Sequence, residues 1–199
     1  MKNNYGVLIL AAGLSERMGV PKFLLGYDNS VTFYEKIIDG YLKSGISHMV
    51  MVINRDDFKH LNRYKNKIEV VVNDYPGRGR FYSFVTGLKA FGGIKNIFVH
   101  NVDNPFVIEP VLNKMISDLK TRHYVVPVYQ GKGGHPVLLS SQIVADAVSL
   151  YDYNNNIKEY LKKFGRINRV TCRAEVTVNI NTPGDYEKFL KGLKSGFYK

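Results

Sequence analysis

The 199-residue chain has one cysteine, Cys172, and only 17 acidic residues against 28 Lys and Arg. A lone cysteine excludes an internal disulfide framework. Cys172 also lacks a neighbouring Cys/His set at zinc-ligand spacing, so it reads as a small core residue in a reducing compartment. Long apolar runs are missing too. None approaches the roughly 18 residues that span a bilayer, and no charged segment followed by an apolar h-region stands at the start. A cytoplasmic protein without a membrane partner is expected. The shortage of acids leaves a formal net charge of +11, which suits polyanionic partners. The cations, among them Lys36, Lys43, Lys59, Lys89, Lys114, Lys158 and Lys188, are spread over many helical stretches. There is no basic arm and no helix-turn-helix, RRM or zinc-finger pattern, which argues against nucleic acid.

With 45% hydrophobic and 13% aromatic residues, residues 1–199 read as a single α/β domain with one substantial core. Short Val- and Ile-rich runs at 5–11, 48–53, 68–72, 96–102 and 123–128 predict strands buried on both faces. Helical periodicity falls between and after them, at 33–42, 58–64, 83–91, 110–119, 141–150 and 157–164. Such alternation predicts a three-layer, Rossmann-like, mostly parallel sheet with helices on both faces. Ligands then bind outside the carboxyl ends of the strands, where the loops after 11, 72 and 102 converge.

The first of these loops is the most informative. In L-A-A-G-L-S-E-R-M-G-V-P-K, Ala11, Ala12 and Gly13 let backbone N–H groups approach a ligand, and Gly13 can take positive φ. Arg17 offers a forked contact to phosphate oxygens, and Lys22 a point charge. Neither a P-loop nor G-x-G-x-x-G is present. A phosphate cradle of another kind is expected.

These residues resemble the signature loop of the molybdenum-cofactor nucleotidyltransferases, the MobA-like and molybdopterin cytidylyltransferase-like enzymes. The resemblance implies a fold of the nucleotide-diphospho-sugar transferase type. It also implies that Leu10, Ala11, Ala12 and Gly13 meet the nucleotide while Arg17 and Lys22 neutralise its phosphates. The segment G-R-G-R-F-Y-S-F-V-T-G-L is similar to the family's glycine loop, so Gly79 and Ser83 are implied contacts to base and ribose. Arg80, Phe81 and Tyr82 are bulkier than the residues usual there. G-G-H-P-V resembles the segment that the family places on the acceptor side, implying Gly134 and His135; a plain hairpin accounts for it equally well.

Asp103 ends an apolar run, and Asn104-Pro105 stops the strand and turns the carboxylate towards the crevice. That is a position for Mg²⁺, which one or two carboxylates plus substrate phosphates commonly hold. In V-N-I-N-T-P-G-D, Thr182 is a credible N-cap, with Pro183 at N1 and Asp185 at N3. This stretch is similar to the family's D-x-D-T-P-x-D, with Asn179 and Asn181 standing in place of both first aspartates. Asn181 remains an implied metal ligand through its amide oxygen.

The chemistry these residues suit is attack by an acceptor phosphate on the α-phosphorus of an NTP, with loss of pyrophosphate. Lys22, Arg17 and Asp103 would carry it by positioning and charge neutralisation. The resemblance favours CTP, since the family's cytidylyl members similarly carry Leu-Ala-Ala-Gly and Pro-Lys, and it implies molybdopterin as acceptor. GTP, or a sugar or polyol phosphate as acceptor, stays open. So does a non-catalytic nucleotide- or cofactor-binding chaperone for a molybdenum enzyme.

Overall fold

The computed structural model describes residues 4–61, 64, 66–93, 96–119 and 123–198, with only the backbone of 166–171. Side-chain alternation along the central strands decides the layering. In β1 (Tyr5–Leu10), Val7 and Ile9 face one apolar cluster while Leu8 and Leu10 face another. In β2 (Met49–Asn54), Met49, Met51 and Ile53 go one way, and Val50 and Val52 the other. This period-two split is what a sheet covered on both faces requires.

The first cluster is closed by α1 (Phe33–Lys43), α3 (Glu109–Asp118) and α6 (Pro183–Lys194), through Ile37, Tyr41, Leu112, Met115 and Phe189. The second is closed by α2 (Gly79–Lys89), α4 (Ser141–Val148) and α5 (Ile157–Lys162), through Phe84, Leu88, Ile143 and Tyr160.

The eight-stranded sheet runs β3 (Glu69–Asn73), β2, β1, β4 (Asn96–Asn101), β7 (Val137–Leu139), β5 (Tyr124–Tyr129), β6 (Lys132–Gly133), with β8 (Arg166–Thr171) also pairing β5. β3, β2, β1 and β4 are mutually parallel, as are β5 and β8; β7 lies antiparallel between β4 and β5. The mostly parallel sheet read from the alternation therefore holds, and becomes mixed where the short strands β6 and β7 run antiparallel to β5.

Two local expectations need correction. The helix expected at 58–64 is a 3-10 turn, Arg55–His60, which Leu61 leaves in extended backbone (φ −81°, ψ 117°); residues 62 and 63 lie outside the described ones. The turn buries none of its own side chains, so no apolar face holds a longer helix. Gly13 does not adopt positive φ; Ser15, at φ 54°, and Gly19, at φ 77°, are the positive-φ residues of that loop. Elsewhere the cap reading is met: Thr182 and Asp185 form a reciprocal capping box at the start of α6.

Candidate nucleotide-binding site

Parallel strands bring the ends of β1, β3 and β4 to one edge of the sheet, with Leu10 paired to Asn101. α2 lies close over this edge because Gly87 has no side chain. A Cβ there would come 2.4 Å from Leu8 Cδ1 and 2.6 Å from Val52 Cγ2. The first turn of α2 is thereby fixed against the loop after β1. Between them opens a cavity of about 450 Å³, lined by residues 10–17 and by Lys22, Pro76, Gly79, Arg80, Ser83, Asn101, Val102, Asp103 and Asn181. That volume is ordinary for a small-molecule site.

The loop after β1 offers donors. Ala11 N–H donates to Val52 O in the manner of a strand, but among the described residues no protein acceptor meets the amides of Ala12, Gly13 and Leu14. A Cβ placed on Gly13 would have nothing within 4 Å, so the space over this loop is open to a ligand. Ser15 ties the loop together: its hydroxyl donates to Gly13 O at 3.3 Å and accepts Lys22 N–H at 3.3 Å. Buried Met18 and Phe23 anchor the loop from below, the latter edge-on against Tyr34.

Lys22 Nζ donates to Asn181 Oδ1 at 2.7 Å, joining residues 159 positions apart. Burial pushes the Lys22 ammonium below its ordinary pKa, opposed by the Asp103 carboxylate and reinforced by the Arg80 and Arg17 guanidiniums. Burial likewise raises the Asp103 pKa, against the pull of Lys22 and Arg80. Asp103 Oδ1 is buried and has no hydrogen-bond partner. An orphaned carboxylate oxygen on a cavity wall calls for a cation or a donor from a ligand. Among the described residues no group of three or more His, Cys, Asp and Glu forms a cage for a metal.

Fully buried Asn104 holds these parts in register. Its Nδ2 donates to the carbonyls of Glu175, Val176 and Val178 at 2.9–3.1 Å, and its Oδ1 accepts Phe106 N–H. Ile180 N–H donates to Asp103 O at 2.9 Å. The segment 174–181 is thus fastened to the turn after β4, and this brings Asn181 to Lys22. Behind Asn104, His100 Nε2–H donates to Asn104 O at 2.7 Å and its Nδ1 accepts from Tyr41 Oη at 2.9 Å.

Of the residues singled out from the sequence, Leu10, Ala11, Ala12, Gly13, Arg17, Lys22, Gly79, Ser83, Asp103 and Asn181 line the one cavity. Ser83 is buried and its hydroxyl accepts from Asn73 Nδ2 at 2.9 Å. His135 and Gly134 do not line it. His135 sits behind the wall, its Nε2 accepting from the cavity residue Asn101 at 2.8 Å while Nδ1 has no partner. Burial, with Arg80 nearby, drives its pKa down to about 4. Gly134 is enclosed: a Cβ would stand 2.0 Å from Val176 O, so its smallness serves packing. Asn179 is exposed and donates to Thr177 O, off the cavity.

Arg80, Asn101, Ser15 and Glu16 are cavity residues that the sequence did not mark. Arg80 was legible only as unusual bulk within a glycine loop, and Asn104 only as part of a turn.

A loop whose amides at 12–14 meet no protein acceptor among the described residues, three cations and a buried carboxylate stand together at the carboxyl edge of the parallel strands, where α/β proteins bind their ligands. The chain belongs to the MobA-like NTP transferase domain family, whose pattern matches residues 7–169. It is 26% identical over 199 aligned residues to the probable molybdenum cofactor guanylyltransferase of Carboxydothermus hydrogenoformans, covering 94% of this chain and 96% of that one. It is 24% identical over 185 residues to the molybdenum cofactor cytidylyltransferase of Escherichia coli, covering 90% and 92%. Its fold is that of a solved nucleotidyl transferase from Methanothermobacter, with a TM-score of 0.76 and 24% identity over 95% of this chain and 99% of that one. Among the described residues no helix is long and apolar enough to cross a membrane.

Proposed function

We propose that the cavity binds CTP and moves its cytidylyl group to an acceptor phosphate, molybdopterin, with release of pyrophosphate. The observation that carries this reading is the convergence of the open amides at 12–14 with Arg17, Lys22, Arg80 and Asp103 on one cavity. In this reading the amides at 12–14 and the three cations hold the phosphates, and the Gly79–Ser83 segment meets base and ribose. An acceptor oxygen attacks the α-phosphorus in line as the bond to pyrophosphate breaks. A phosphate monoester is largely ionised near pH 7, with a second pKa of about 6, so no strong general base is required.

The unpartnered Asp103 Oδ1 fits a divalent cation, Mg²⁺, held by one carboxylate together with substrate oxygens; bound there, it would offset charge on the departing pyrophosphate. Asn181, whose amide oxygen accepts from Lys22, would be the second residue to hold it. His135 and Gly134 lie behind the cavity wall, and in this reading His135 acts only through Asn101, from whose Nδ2 it accepts. The half-buried Cys172, the single cysteine of the sequence, suits the reducing cytoplasm.

GTP is the second reading, favoured by the likeness to a guanylyltransferase over most of the chain. Pyrophosphate release with CTP, GTP, UTP or ATP, each with Mg²⁺ and molybdopterin, separates the readings. Release with CTP is expected, and release with GTP alone would reassign the base. Release with sugar or polyol phosphates alone would reassign the acceptor. Release under no condition would leave a nucleotide- or cofactor-binding chaperone for a molybdenum enzyme. Lys22→Ala should lower the rate about 100-fold, the scale of losing one preorganised charge at the transition state, with the thermal midpoint retained.

A further inference from the structure

We infer that this chain grips the triphosphate with its own cations and amides, so that nucleotide binding does not require a divalent metal, and that Arg80 and Asn181 are the residues responsible. The inference rests on the nucleotide reading above and concerns how the same cavity divides its work.

The charges around the cavity lead to it. Arg17, Lys22 and Arg80 face it, against the carboxylates of Asp103 and Glu16. Of those two, Glu16 is exposed and only Asp103 is buried. Asp185 is close in sequence to Asn181, yet its Oδ2 accepts from Asn181 N, Thr182 N and Thr182 Oγ1 as the cap of α6. It is therefore committed to the helix start and does not line the cavity. The side chains lining the cavity are cationic on balance, three against two, before any metal arrives, although the Asp185 carboxylate also acts on Lys22 from outside it.

Asn181 sharpens this. Its amide oxygen holds Lys22 at 2.7 Å without forming an ion pair. A neutral partner orients the ammonium but does not cancel its charge, and yields it to a phosphate oxygen at low electrostatic cost. Arg80, on the first turn of α2, adds a guanidinium from the opposite wall. The electrostatic influence of Arg80 on Lys22, Asp103 and His135 places it among the same groups. Together with the unpartnered amides of Ala12, Gly13 and Leu14, these groups meet a polyanion from several sides. The lone Asp103 then serves the metal in the transfer step, where charge develops on the leaving group, and contributes little to holding the ground state.

Calorimetric titration of the full chain with CTP, GTP and inorganic tripolyphosphate, in EDTA and in Mg²⁺, tests this. Dissociation constants for the nucleotide bound should agree within about threefold between the two conditions, and tripolyphosphate should bind in EDTA. Arg80→Ala and Asn181→Asp should each weaken metal-free binding about tenfold, Arg80→Lys much less, and Asn181→Asp should recover part of its affinity when Mg²⁺ is added. Circular dichroism of the same samples identifies any variant that has unfolded. Nucleotide binding in Mg²⁺ but not in EDTA would overturn the inference while leaving the proposed function standing. Nucleotide binding in neither condition would remove that function, and the inference with it.

Discussion

Asp103 shows at a single residue how a site opposes the fold that contains it. Burial raises its pKa, so at neutral pH the ionised carboxylate is less favourable in the native chain than in the unfolded one. A raised carboxyl pKa means stability is gained as pH falls through the folded value, and its cost persists above it. Asp103→Asn keeps the shape and removes the charge. At pH 7 we expect its thermal midpoint to rise by about 2–4 °C, the size that roughly 1 kcal/mol produces in a domain of this length, while pyrophosphate release is lost. Differential scanning calorimetry beside the release assay checks both; a lowered midpoint would show that the carboxylate is stabilised by Lys22 and Arg80 after all. Gly13 carries a different lesson. The sequence suggested positive φ there, but Ser15 makes that turn, and the glycine's absent side chain leaves space over the cradle.

At the scale of elements, the connection that matters is the one between the turn after β4 and the segment 174–181, joined through Asn104. Asn104→Ala removes the donor to three carbonyls, of which Glu175 O and Val176 O keep Val178 N–H and His135 N–H while Val178 O loses its donor, and it removes the acceptor for Phe106 N–H. Leaving such groups unpaired should cost about 2–3 kcal/mol in urea denaturation. The same variant should weaken nucleotide binding, because Asn181 would no longer be delivered to Lys22; full stability would show that the segment is held by other contacts. The strands and helices around β1 to β5 were legible because each carries an unbroken apolar run or stripe with a period of its own. β8 was not, and the two- and three-residue strands β6 and β7, too short to show a period, were legible only as a glycine-rich hairpin. The cradle, Lys22 and Asp103 were legible from a contiguous loop and a strand end. Arg80, Asn101 and Asn104 were not, since their positions follow from packing between distant segments.

The molecule as a whole holds two histidines neutral. Burial lowers the His100 pKa to about 3 and that of His135 to about 4. An unfolded chain would protonate both near 6.5. The native state binds fewer protons, so its full stability is present above that value and is lost as pH falls from there towards 4 and 3. Urea midpoints measured from about pH 7.5 down to pH 4 should therefore fall steadily, and His100→Gln should flatten the slope even though it weakens the fold at every pH; an unchanged slope would refute this source. The bond between Lys22 and Asn181 has a bearing on biogenesis. Because its two halves sit in the first and last quarters of the chain, a polypeptide emerging from the ribosome cannot assemble the complete binding chamber until the stretch after β8 has been synthesised and has docked. A ligand that needs both halves of this contact can consequently clamp only finished molecules.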